Sequence, residues 1–275
     1  MVDPTAIAVP AALAAGIAIG ATMAIERWGG VAGGLLATLP TTVVPASWAF
    51  WAVTEGAALR DALGAVPVGM LVNAGFLFVW RALPPRVAGS FGARLATLVA
   101  VSLGCWAVLA GASVVALEAA RGAGVDVWWL GLAAMVATVG FGAWAVWGRV
   151  PAPKGGKRVP WGSLLARGVL AAAAIATSAV LAASGGELLA AMASVFPAIF
   201  LTAMVSLWWA QGEAVPAGAV GPMMLGSASV SGYALVAAHT LPSLGPGLGA
   251  LVAWAMAVLV VTVPAWGWAR AVGAR

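Results

Sequence analysis

Two prolines, Pro40 and Pro197, each lie inside a long apolar run, 157 residues apart. A proline inside a helix removes one backbone hydrogen bond and clashes with the preceding turn. In hydrocarbon the freed carbonyl must find a partner in protein or water. Short polar side chains stand ready around both: Thr38, Thr41, Thr42 and Ser47 near the first, Ser194 and Thr202 near the second. Asn73 and the group Ser227, Ser229, Ser231 and Tyr233 add further polar atoms within apolar stretches. Ser227 and Ser231 are four apart and share a helix face. Such groups form hydrogen bonds rather than ion pairs, which suits a small neutral, zwitterionic or amphipathic solute. The candidate substrate-binding set is Pro40, Thr41, Thr42, Asn73, Ser194, Pro197, Ser227 and Ser231. Glu55 and Glu213 close adjacent apolar runs and are candidates for gating or proton handling. Each feature also has a plainer reading. Membrane helices tolerate prolines as kinks, helix-end carboxylates sit in headgroup regions, and small polar residues hold helices together.

Other chemistry is excluded. Cys105 and His239 are the single cysteine and the single histidine. They form neither a disulfide within one chain nor a typical zinc or haem site. Membrane enzymes show clusters of Asp, His or Glu near one face, and none occurs. No catalytic residue, metal or cofactor is therefore expected. No Asp or Glu falls at mid-span and no Lys or Arg is evident within the membrane, against a strongly charge-coordinating pump.

The elements that must position these residues are membrane helices. The chain has 275 residues, 63% hydrophobic and 8% charged, against roughly 25% charged in an ordinary soluble domain. About nine apolar runs suit spans of ~20 residues each: residues 5–24, 30–54, 62–80, 95–117, 127–147, 164–183, 188–210, 215–238 and 247–268. Many of the 15 Trp fall near span ends, as an interfacial belt requires; Trp106 and Trp254 are mid-span packing residues. With the N-terminus outside, eleven Lys and Arg lie inside and two, Arg60 and Arg121, outside. The C-terminus is then cytoplasmic, as is the tract PAPKGGKRVP, a linker between two halves. The basic balance reports this topology, and no nucleic-acid partner is expected. The start MVDPTAIAVP lacks the basic region of a cleavable signal peptide.

The halves repeat. Gly29-Gly30, Pro40, Phe50-Trp51, Glu55 and Leu83-Pro84 recur as Gly185-Gly186, Pro197, Trp208-Trp209, Glu213 and Leu241-Pro242, at offsets of 156 to 158. Spans 1–4 thus match spans 6–9. The extra span 5 forces the two units into opposite orientations, the inverted repeat of many secondary transporters. The expected fold is all-α and polytopic, arranged 4 + 1 + 4: residues 1–120, a connector and linker at 121–160, and 161–275, with span 5 peripheral.

The stretch from Gly29 to about Leu109 resembles the GlpM family of small bacterial inner-membrane proteins of about four spans. The resemblance is carried by GGLLATLPT at 33–41, TEG at 54–56 followed by Arg60, and CWAV at 105–108. The second half has FPAI at 196–199 but Ala253-Trp254 where the first has Cys105-Trp106. The resemblance implies a fused, duplicated antiparallel pair in a bacterial inner membrane, similar in organisation to small multidrug-resistance-like transporters. It implies no substrate. The expected function is movement of a small solute by alternating access. The alternatives are a channel or lipid-handling protein and a non-transporting accessory subunit. Expected partners are the bilayer, a small-molecule substrate and a second copy in a homodimer.

Overall fold

The computed structural model describes residues 4–28, 39–147 and 160–273. These are helical, and no strand occurs among them. In chain order the helices are α1 (Pro4–Trp28), α2 (Val43–Val53), α3 (Gly56–Ala82), α4 (Phe91–Gly122), α5 (Val127–Val146), α6 (Trp161–Ala183), α7 (Glu187–Ser194), α8 (Ala198–Gln211), α9 (Ala214–Ala257) and α10 (Val263–Gly273). A short 3₁₀ turn, Pro84–Arg86, follows α3, and a π turn, Val258–Thr262, joins α9 to α10.

Among the described residues, six segments are long and apolar enough to cross a membrane. They are α3, α4, α5, α6, the broken pair from Glu187 to Gln211, and the 59-residue stretch Ala214–Val272. The chain is a helical protein embedded in a membrane. Its outer wall is apolar: Val108 is 72% exposed, Val115 70% and Val136 62%. Those are the side chains lipid would cover.

The long α9 is two helices. Gly245 has φ 76° and ψ 171°, a conformation open to glycine, and Pro246 follows. The chain folds back there. The Thr240 hydroxyl donates to the Gly249 carbonyl at 2.9 Å, and a Cβ on Gly232 would lie 3.0 Å from Val261 Cγ2. The sequence reading placed a boundary between 238 and 247; the break is within it, without a loop.

One other boundary moves, and one helix is placed differently than expected. The sixth helix begins at Trp161, not Leu164, with Pro160 as its cap. Arg167 lies inside this helix and is buried, its Nε donating to Thr202 Oγ1 at 2.9 Å. The expectation of no arginine at depth is corrected: the hydroxyl of Thr202 lets α6 hold one. The fifth helix is also more central than expected. It packs along both α3 and α9, while its other face, with Trp129, is exposed.

Packing on α5 depends on missing side chains. A Cβ on Gly64 of α3 would come within 3.1 Å of the Trp128 backbone. A Cβ on Gly221 of α9 would come within 2.8 Å of the Ala145 carbonyl oxygen, and one on Gly142 within 2.7 Å of the Leu225 amide nitrogen. Backbones approach at both ends of α5 because glycine permits it, the usual device of membrane helices that lack a hydrophobic drive between them.

Charges separate to the two ends of the bundle. One end carries Glu55, Arg60, Asp61, Glu118, Arg121, Asp126 and Glu187. There Arg60 pairs with Asp126 at 2.6 Å, and Arg121 reaches Glu118, Asp61 and Glu187 at 2.5, 3.6 and 3.8 Å. The other end carries Arg81, Arg86, Arg94 and Glu213. There Arg94 pairs with Glu213 at 2.5 Å, and Arg81 donates to the carbonyls of Ala145 and Ala217.

Candidate functional site

Pro197 interrupts a helix, and Pro40 lies just ahead of one. On the second-half side, α7 ends at Ser194 and α8 begins at Ala198, with Pro197 at its cap. Pro197 has no N–H to offer. The turn is rebuilt by shorter bonds, Phe196 N to Ala193 O at 3.1 Å and Ala198 N to Phe196 O at 2.7 Å. On the first-half side, Pro40 precedes the start of α2 at Val43, and Thr41 N bonds Leu39 O at 2.8 Å. Pro40 and Pro197 are both buried.

Asn73 meets the second break. Its Nδ2 donates to the Val195 carbonyl at 2.7 Å. The residue is 2% exposed, and its Oδ1 has no hydrogen-bond partner. The sequence identifies the donor and the break, but not that one satisfies the other. Only packing of α3 against α7 brings together positions 122 residues apart. The contact is close: a Cβ on Gly69, one helical turn before Asn73, would collide with the Val195 side chain.

The remaining candidates are placed as follows. Ser231 is fully buried and its hydroxyl has no hydrogen-bond partner. Ser227 and Ser194 donate to carbonyls of their own helices, Met224 and Ala191, both at 2.7 Å. Those two hydroxyls are spent locally, as short polar side chains in helices commonly are. Thr41 and Thr42 are half-buried just before α2. Glu55 lies exposed at the acid-rich end, and Glu213 at the opposite end in its pair with Arg94. Thr38, near Pro40, lies outside the described residues.

A second link joins another pair of helices, α2 and α9, and it is not legible in the sequence. Ser47 Oγ of α2 and the Tyr233 hydroxyl of α9 share a hydrogen bond at 2.7 Å, with both residues fully buried. A lone tyrosine within an apolar run was the available signal, because a buried phenol needs a partner. Trp48 reaches from α2 as well, its Nε1 donating to the Pro246 carbonyl at 3.0 Å. Polar contacts thus tie α3 to the break between α7 and α8, and α2 to α9.

Comparison with known protein families, with curated proteins and with solved structures finds no match to this chain. Among the described residues, no group of three or more His, Cys, Asp or Glu could hold a metal ion.

Proposed function

We propose that this protein moves a small neutral or zwitterionic solute across a bacterial inner membrane by alternating access. The architecture would be nine spans in an inverted 4 + 1 + 4 repeat, with the N-terminus outside. The observation that carries the reading is the pair of buried prolines at helix starts, one break held by the Asn73 amide. Broken helices with unpaired backbone groups near the middle of a bundle are the usual makings of a transport site. Asn73 Oδ1 and Ser231 Oγ are buried polar atoms still unpartnered, available to a solute that hydrogen-bonds.

Further geometry supports the repeat. Gly64 and Gly221 are 157 residues apart, an offset inside the range of the sequence repeat. They pack against opposite ends of α5. An axis in the membrane plane through the middle of α5 would exchange them, so α5 would lie on the symmetry axis rather than outside it. Arg121 with Glu187 at one end, and Arg94 with Glu213 at the other, would tie the two halves together as gates.

The tight seat of Val195 on Gly69 favours a second reading, a closed accessory subunit with no solute path. Cysteine accessibility separates the two. In a Cys105→Ala background, Ser231→Cys in sealed vesicles is treated with a membrane-impermeant thiol reagent from either side. Alternating access gives modification from both sides; a closed subunit gives none from either.

A further inference from the structure

We infer that a groove on the outer wall, between α5, α9 and the π turn, seats one acyl chain of a phospholipid with an ammonium-bearing headgroup. The inference is independent of whether the protein transports. The groove has a volume of about 320 Å³ and apolar walls, among them Leu132, Met135, Val236, Met256 and Val260.

Its shape has two sources. Gly232 on its floor lets the returning helix close in, to where an added Cβ would meet Val261 Cγ2 at 3.0 Å. Pro264 supplies no N–H to the preceding turn, and the helix widens just before it into the π turn Val258–Thr262. The mouth faces the bilayer, since Val260 is 61% exposed and Met256 44%. An apolar hollow gives water no partners and stays dry. A hydrocarbon chain is the material at hand that fills it.

The α3-facing side of α5 is filled by the protein itself. Phe78, Phe141 and Trp144 stack there with ring centroids 5.4 to 5.8 Å apart. The α9-facing side has no such plug.

His239 marks one end of the groove. The exposed His239 ring lies against Trp128, centroids 5.4 Å apart. Trp128 commits its own Nε1 to the Leu235 carbonyl. The imidazole therefore stands at headgroup level, where it reaches a phosphate. This is also the acid-rich end. Asp126, two residues before Trp128, caps α5 and pairs with Arg60. Carboxylates outnumber guanidiniums there among the described residues, which favours a headgroup amine and repels a net anionic headgroup.

The test uses the full-length protein in lipid nanodiscs. The probe is phosphatidylethanolamine with a diazirine in mid-chain, with labelled positions read by mass spectrometry. Label should concentrate on Met135, Met256 and Val260 well above the level at Val108, an equally lipid-facing position on α4. Val260→Trp, at an exposed site that leaves folding intact, should bring groove labelling down to the Val108 level. Gly232→Leu should do the same from the floor if it folds. Groove labelling equal to Val108, or unchanged in Val260→Trp, overturns the site. The same chain on phosphatidylglycerol should label the groove less, and His239→Ala should weaken the ethanolamine lipid. Equal labelling by both lipids overturns the headgroup assignment.

Discussion

The side-chain amide of Asn73 donates to the backbone carbonyl of Val195 at 2.7 Å, closing over the break ahead of Pro197. A backbone carbonyl left open at a helix break in an apolar interior is costly when unmet. Here a second helix meets it. Asn73→Leu should therefore destabilise the protein by about 1–2 kcal/mol, read by denaturation in mixed detergent micelles. It should also abolish uptake of the solute, while Asn73→Gln restores part of both. Unchanged stability in Asn73→Leu would show that the bond contributes nothing.

The bond between Ser47 and Tyr233 is testable by a double-mutant cycle. Tyr233→Phe and Ser47→Ala should each cost about 0.5–1.5 kcal/mol. The double variant should cost less than their sum, because Ser47→Ala strands the Tyr233 hydroxyl, a penalty that Tyr233→Phe removes, whereas Ser47 keeps its bond to the Val44 carbonyl in either background where it is present. Strict additivity would mean that the hydroxyls do not interact.

Close approach on α5 makes a sharper prediction. Gly221→Val and Gly64→Val would push side chains into backbone that lies within 2.8 and 3.1 Å of the added Cβ. Overpacking of this kind costs about 1–3 kcal/mol. Gly111→Val, at a position with open space, should cost far less. Thermal aggregation in detergent ranks the three, and equal ranking would contradict the packing.

The proposed gate at Arg94 and Glu213 is open to crosslinking. The pair is part-exposed, so breaking it should change stability by less than about 1 kcal/mol. In a Cys105→Ala background, Arg94→Cys with Glu213→Cys should crosslink under mild oxidant. If the two halves must part there, the crosslink stops uptake and reductant restores it. Full uptake in the crosslinked protein would remove the pair as a gate.

Topology can be read from reporter fusions. Fusions at Gly155 and at the C-terminus should report the cytoplasm, and one at Gly122 the outside. A fusion at Gly155 reporting the outside would end the inverted arrangement.

Much of this was legible in the sequence, for identifiable reasons. The helical class follows from long apolar runs, which leave a chain in lipid few other ways to satisfy its backbone. The break at Pro197 follows from proline's missing donor. The ends of α3 follow from charges that stay near water, Arg60 and Asp61 at one end and Arg81 at the other. What stayed hidden were relationships across the chain. Nothing local says that Asn73 reaches Val195, or that Tyr233 finds Ser47, because those pairings belong to helix packing. Arg167 misled for a related reason. An arginine near a span end reads as interfacial until a partner such as Thr202 is placed beside it. The backbone fit around α5 was also invisible, since a glycine looks the same whether it faces a neighbour or lipid.

The first helix has its main partner far along the chain. Ala14 and Ala18 of α1 pack with Ala171, Ile175 and Ala179 of α6, and Gly168 sits against Ile19. During synthesis α1 is made long before α6 exists. Its alanine face lacks this partner until most of the protein has been made. The amino-terminal half alone cannot reach its finished form, because its first helix lodges against the opposite half. Docking of the first helix is therefore a late step, completed only once α6 has been made.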